Sequence, residues 1–138
     1  MRQAAAVIGF DTAGRGLLDI TPDVARWVRE SGIETGLLTL FCRHTSASLL
    51  INENAAPAVR RDLLRWLERI APERAGYEHD DEGPDDMPAH IKAMLTGTSL
   101  TVPVMQGQPA LGTWQGIFLA EHRDKSHHRT IALHIAGE

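Results

Sequence analysis

Cysteine is nearly absent: Cys42 is the one thiol in 138 residues. That count excludes an internal disulfide and any Cys-x-x-Cys zinc site, and it makes a reducing cytoplasm the default compartment. A basic excess is lacking too. Fourteen Lys and Arg face 18 Asp and Glu, for a formal net charge of -4, which argues against a nucleic-acid binder with its basic stripe. No apolar run approaches the roughly 20 residues of a membrane span. The opening residues Met1 to Ile8 carry one basic residue and break at Gly9, too short a pattern for a signal peptide, so they read as a first strand. Neither a P-loop nor Gly-x-Gly-x-x-Gly occurs, so phosphate would have to be held by hydroxyls, amides and Arg.

What is present fits one domain spanning 1–138, with 43% hydrophobic and 23% charged residues. The most informative stretch is Cys42–Asn54. Read as an extended strand, it puts His44, Ser46, Ser48, Leu50, Asn52 and Asn54 on one face. Short hydrogen-bonding groups with an imidazole suit a recessed polar pocket; the alternative is a solvated outer face.

Along the chain, residues 3–10 and 17–20 suit strands. Thr21-Pro22-Asp23 reads as a helix start with a hydroxyl cap, and Gly32 as its stop. A continuous apolar run at 37–42 suits a strand covered on both faces. Pro57 opens the longest helix, with Val59, Leu63, Trp66, Leu67 and Ile70 as a packed stripe and Pro72 after its end. Ala56 stands at its cap position and cannot cap, leaving the role to Asn54 or water. Residues 75–86 are acids and breakers, hence a loop. A short helix follows, with Ile91, Met94 and Leu95 as its apolar side and Gly97 as its stop. Residues 100–104 suit a strand that Pro103 places at a sheet edge or strand end, and 113–123 and 130–136 read as two strands joined by a polar loop. The class is α+β: an antiparallel β-sandwich with two or three packed helices.

His44, His79 and His90 are the candidate ligands or bases, since a loop and a helix start can converge on a strand face. Three polar surface or capping histidines are the plainer alternative. The acids from Glu78 to Asp86 could hold Mg²⁺, though most suit a solvated loop. Asp86 is the exception, placed to cap the helix carrying His90. Glu121 shares a strand face with Gln115, Ile117 and Leu119 and needs a partner; a hairpin centred near Lys125 would set Arg129 opposite it as a structural ion pair. Cys42 suits a buried structural role.

Five blocks, taken together, resemble a known family: His44-Thr45-Ser46-Ala47-Ser48 with Asn52-Glu53-Asn54; Tyr77-Glu78-His79-Asp80; Asp85-Asp86-Met87-Pro88-Ala89-His90-Ile91-Lys92; Gly112-Thr113-Trp114-Gln115-Gly116-Ile117; and Glu121-His122-Arg123. The likeness, from about Gly36 to the C-terminus, is to the YjbQ-type secondary thiamine-phosphate synthases. It implies a compact sandwich assembled as a homotrimer, with the pocket near subunit contacts. It also implies a side activity joining hydroxymethylpyrimidine diphosphate to thiazole phosphate with release of pyrophosphate. By position it implies a divalent metal (Zn or Mg) or an anion at His44, His79 and His90, with Ser46, Ser48, Asn52, Glu53, Gln115 and Glu121 lining the site. One departure is Ala56, where the family pattern has Asp before the helix proline.

Three functions follow. As an enzyme, the chain would use His44, Glu53 and Glu121 in catalysis and hold a small phosphorylated metabolite with Ser46, Ser48, Asn52, Gln115 and Arg129. Alternatively it is a non-catalytic trimeric metal- or phosphometabolite-binding protein, or a purely structural trimer.

Overall fold

The computed structural model describes residues 1–138. In chain order it contains β1 (Arg2–Asp11), β2 (Gly16–Asp19), α1 (Thr21–Ser31), β3 (Gly36–Cys42), β4 (Ala47–Glu53), α2 (Pro57–Ile70), α3 (Asp86–Thr96), β5 (Ser99–Met105), β6 (Gln108–Pro109), β7 (Gln115–Glu121) and β8 (His128–Gly137). The strands form a five-stranded sheet, β1-β8-β3-β5-β6, and a three-stranded sheet, β2-β7-β4. Every pairing is antiparallel, and the three helices make the class α+β. No helix is long and apolar enough to cross a membrane.

Alternation along each strand decides what lies where. Leu38, Leu40 and Cys42 of β3 and Ile131, Leu133 and Ile135 of β8 face Ala47 and Leu49 of β4 and Ile117 and Leu119 of β7 across the main core. Ile20, Val24 and Val28 bring α1 into the same core. Cys42 is buried there, and desolvation pushes its thiol pKa up, as suits an inert core cysteine. The opposite face of the three-stranded sheet carries Ser48, Phe118 and His122. Thr96 of α3 bonds Ser48, and the Arg60 guanidinium of α2 lies 5.3 Å from the Phe118 ring centre. The molecule is therefore layered as five strands, three strands, then α2 and α3.

The two sheets overturn three expectations. First, β7 and β8 form no hairpin. β7 pairs with β2 and β4, whereas β8 pairs with β1 and β3, so the segment from 122 to 127 crosses between sheets. Second, residues 42–54 are not one strand. The chain leaves the large sheet after Cys42 and enters the small one at Ala47, and the crossover breaks the alternation that would have aligned His44 and Ser46 with Ser48. Third, Ser48 lies in neither a pocket nor solvent; it is fully buried under α3.

The helices differ as well. The inner side of α3 is Asp86, Pro88, Ala89, Lys92 and Ala93, while Met94 and Leu95 are 75% and 49% exposed. Two alanines let the helix approach the sheet closely. Lys92 is tolerated inside because its ammonium meets Glu68 of α2. In α2 only Leu67 is fully buried, leaving Trp66 and Ile70 half-exposed, so that stripe is only partly packed. Thr21 does not cap α1: Asp19 Oδ1 accepts the Thr21 amide (2.9 Å), while the Thr21 hydroxyl accepts the Ile117 amide (2.8 Å). Ahead of α2, Glu53 Oε2 accepts the amides of Ala55 and Ala56 (3.1 and 3.0 Å) and orders the entry to the helix, while no side chain, Asn54 included, caps its first turn.

Candidate functional site

The N-terminal turn of α3 brings Asp86 and His90 to one side, because residues four apart share a helix face. The acidic loop before α3 folds back and adds His79. Asp86 Oδ2 lies 2.8 Å from His79 Nε2 and 3.0 Å from His90 Nε2, and the two imidazole centres are 5.8 Å apart. The three donor atoms all fall within 4.8 Å of one another. The Asp86 side chain is almost completely buried, yet its pKa is lowered: burial pushes it up, and the hydrogen bond from His79 with the charges of His90 and Arg123 outweighs that.

His90 carries the most chemical information. Its Nδ1 is 2.8 Å from the Thr45 carbonyl; a carbonyl only accepts, so Nδ1 bears the proton. Neutral imidazole then has its Nε2 lone pair aimed at Asp86 Oδ2. A lone pair facing a carboxylate is repulsive unless a proton or a metal cation lies between them. A backbone carbonyl on the far nitrogen is also the usual support that turns the other nitrogen into a metal ligand.

Arg123 braces the carboxylates from behind. Its Nη1 donates to Asp86 Oδ1 (2.8 Å), its Nε to Asp85 Oδ2 (2.9 Å) and its Nη2 to the Glu82 carbonyl (3.0 Å). In front of His79 lies a recess of about 350 Å³ whose lining includes Arg74, Tyr77, Asp80 and Met87. Arg74 holds a positive φ of 58°, an uncommon backbone state for a side-chain-bearing residue. Two imidazole nitrogens and one carboxylate oxygen are a donor set that fits Zn²⁺ and its borderline neighbours better than all-oxygen Mg²⁺.

The other sequence candidates are dispersed. His44 does not join His79 and His90: its Nε2 accepts the Thr130 amide (2.8 Å), and burial foremost, with Arg129 nearby, lowers its pKa. Ser46 Oγ accepts from Arg129 Nη2 (3.0 Å). Glu121 is buried, with Oε1 taking Thr12 Oγ1 (2.7 Å) and Arg129 Nε (2.8 Å) and Oε2 taking Arg129 Nη2 and the Arg123 amide. The ion pair exists, but between sheets rather than across a hairpin.

Asn52, Glu53 and Gln115 lie at the far end of the β4–β7 ladder. Ala47 pairs with Glu121 and Glu53 with Gln115, so six steps of about 3.4 Å, roughly 20 Å, separate the two ends. All three accept local amides: Asn52 from Glu53, Glu53 as described, and Gln115 from Gly112.

Three polar residues escaped sequence reasoning. Lys92 hides in an apparently solvated helix position. Arg123 and His122 follow the strand whose register was misjudged. His122 is buried on Ser48, with Nε2 2.8 Å from Ser48 Oγ, and Ser48 is 2.5 Å from Thr96 Oγ1. Thr96 donates to the Lys92 carbonyl (2.8 Å). Ser48 must therefore donate to Thr96 and accept from His122 Nε2–H. In that direction the imidazole cannot act as a base toward the serine, so the pair is no nucleophilic dyad.

Comparisons with known proteins converge. Residues 7–138 match the family model described as UPF0047 protein YjbQ-like. A UPF0047 protein from Synechocystis is 46% identical over 138 residues, covering 99% of this chain and 94% of the relative. The UPF0047 protein YjbQ of Escherichia coli O157:H7 is 51% identical over 130 residues, covering 94% and 90%. Among solved structures, an uncharacterized yjbq/upf0047 family protein from Clostridium acetobutylicum superposes with a TM-score of 0.88 at 39% identity, covering 95% of this chain and 99% of the other. A YbjQ-like protein of unknown function from Sulfolobus solfataricus gives a TM-score of 0.88 at 27% identity, covering 99% and 100%.

Proposed function

This chain belongs to the YjbQ-like UPF0047 family, and from that premise we propose that it is a divalent-metal protein acting on small phosphorylated metabolites through His79, Asp86 and His90. The carrying observation is the orientation of His90, whose Nδ1 proton goes to Thr45 and whose Nε2 turns to the oxygen that also faces His79. Asp86 Oδ2 stands 2.8 Å from His79 Nε2 and 3.0 Å from His90 Nε2, and both separations need to open by about 0.4–0.6 Å for tetrahedral zinc, whose donors stand about 3.4 Å apart at bond lengths near 2.1 Å. A bound cation supplies positive charge where a leaving group gathers negative charge.

The reaction we assign is the thiamine-phosphate-synthase type, as a side activity. The bond between the pyrimidine methylene carbon and the diphosphate oxygen breaks, and pyrophosphate leaves with the electron pair. The thiazole ring nitrogen forms the new C–N bond and becomes the thiazolium centre; no proton has to move. Such a step needs charge stabilisation and orientation more than acid–base chemistry. Here Arg123 holds Asp86 in place and Tyr77 with Arg74 lines the recess where a flat ring and an anionic tail fit together. Glu121 has no free oxygen for the aminopyrimidine edge and belongs to the framework.

We further propose a homotrimer built on the outer face of the large sheet. Ala5, Val7, Phe41 and Ala132 line an apolar concavity of about 450 Å³ there, with Phe41 48% exposed. One buried thiol suits a reducing cytoplasm. Metal analysis of the purified protein, followed by product assays on zinc-loaded and chelator-treated samples, tests the central claim. Zinc bound near one equivalent with product formed supports the enzyme. Saturable diphosphate binding without product would make it a binding protein, and metal content that survives Asp86→Ala would end the assignment.

A further inference from the structure

On the other side of the Asp85–Arg123 clamp lies a second concavity, of about 370 Å³, with no hydrophobic residue in its lining. Its walls are Glu82 to Asp85 on one side and Arg123 to His127 on the other. The charges there are unequally committed. Arg123 is engaged by Asp85, Asp86 and the Glu82 carbonyl, and Asp124 is paired with Arg15. Lys125 and Ser126 make no side-chain hydrogen bond or ion pair within the chain.

His127 stands beside them in a fixed pose. Its amide donates to Thr12 Oγ1 (2.9 Å) and its carbonyl accepts the Thr12 amide (2.8 Å). Its Nδ1 lies 2.8 Å from the Lys125 carbonyl, which leaves Nε2 uncommitted. An ammonium, a hydroxyl and an imidazole nitrogen thus share one hydrophilic hollow, without partners of their own. The Glu82 carboxylate is the one acid in the lining that takes no arginine.

We infer that this hollow is a phosphate-monoester subsite, in which Lys125, Ser126 and His127 hold the phosphate of a second substrate. The inference rests on the transferase reading of the neighbouring histidine–aspartate cluster and gives that reading a place for two phosphorylated molecules. Lys125 supplies charge and Ser126 donates. His127 Nε2 accepts from the P–OH of a monoanion or, when protonated, donates to a dianion. Glu82 opposes the ligand's charge and so favours the singly charged monoester over more highly charged anions.

Calorimetric titration of the full chain with methyl phosphate, inorganic phosphate and, separately, zinc distinguishes the two readings. Lys125→Ala/Ser126→Ala is expected to weaken methyl phosphate binding at least 10-fold and to leave zinc affinity unchanged. Glu82→Gln is expected to tighten phosphate binding several-fold, and Asp86→Ala to remove zinc while sparing methyl phosphate. Methyl phosphate affinity equal in the wild type and the double variant overturns the subsite. So does binding of inorganic phosphate without methyl phosphate. Absence of zinc binding in the wild type would instead strike the histidine–aspartate cluster.

Discussion

Arg129 of β8 grips Glu121 of β7 across the gap between the two sheets, with Nε 2.8 Å from Oε1. The two side chains are buried and their strands share no hydrogen bonds, so the pair fastens one end of the sandwich where the core has run out of apolar residues. Removing one partner strands the other charge. Glu121→Ala is therefore expected to destabilise the fold by about 3–5 kcal/mol, whereas replacing both residues by apolar ones of similar volume costs much less. Urea unfolding of the single and double variants measures the difference, and an equal loss in both would contradict a charge-pair origin.

His122 sets an acid limit on stability. Burial foremost, with Lys92 and Arg129 adding to it against Glu121 and Glu68, lowers its pKa from 6.5 to about 4. The unfolded chain therefore binds the proton more readily than the native one. The resulting stability is whole above pH 6.5 and drains away as pH falls toward 4, by up to about 3 kcal/mol. Glu68, Asp85, Asp86 and Glu121 have lowered pKa values too, but carboxylates act below this window, near and under pH 4. His122→Gln keeps an N–H donor for Ser48 and is expected to flatten the curve of melting temperature between pH 6.5 and 4. A slope unchanged in that interval would assign it to other groups.

The outer face of the large sheet gives a third expectation. Phe41→Glu puts a charge in the middle of the apolar concavity beside Val7 and Ala132. It is expected to convert the proposed trimer into monomers while leaving far-ultraviolet circular dichroism unchanged. Light scattering after gel filtration reads the mass; a variant that remains trimeric removes this face from the interface.

Local chemistry was legible in the sequence where it had local causes. The Gly32 stop, the strand at the apolar run of β3, the loop before α3 and the Gly97 stop depend on neighbours in the chain, and all four are found, but β3 is covered on one face only, with Leu37 and Phe41 exposed on the other. Of the three histidines singled out, the loop and the helix start bring His79 and His90 together, while His44 stays with Thr130. The errors share another cause: a choice of tertiary partner. Alternation from Cys42 to Asn54 was real, but nothing in it marks the point at which the chain changes sheets. A loop of polar residues after Glu121 reads as a hairpin whether or not the flanking strands pair. The apolar side of α3 reads in the sequence as Ile91, Met94 and Leu95; Lys92 turns inward instead because its counter-charge, Glu68, is on a different helix, and that turn rotates Met94 and Leu95 outward.

The final expectation concerns the residue behind the candidate metal site. Arg123 touches no recess in front of His79, yet its two hydrogen bonds fix Asp85 and Asp86 in one orientation. A carboxylate ligand free to rotate loses affinity, since part of the binding energy then goes into ordering it. Supports of this kind change metal affinity by about 10- to 100-fold. Arg123→Met is expected to weaken zinc binding by that factor. Arg123→Lys keeps the charge but cannot span both carboxylates with a planar fork, so it should recover only part of the loss. Competition against a chelator of known affinity gives the constants, and the visible spectrum of the Co²⁺-substituted protein reports whether the ligand field has changed. Full zinc affinity in Arg123→Met would mean that the buried Asp86 is held by α3 alone, and that the arginine serves the loop between Glu82 and Asp85 instead of the site.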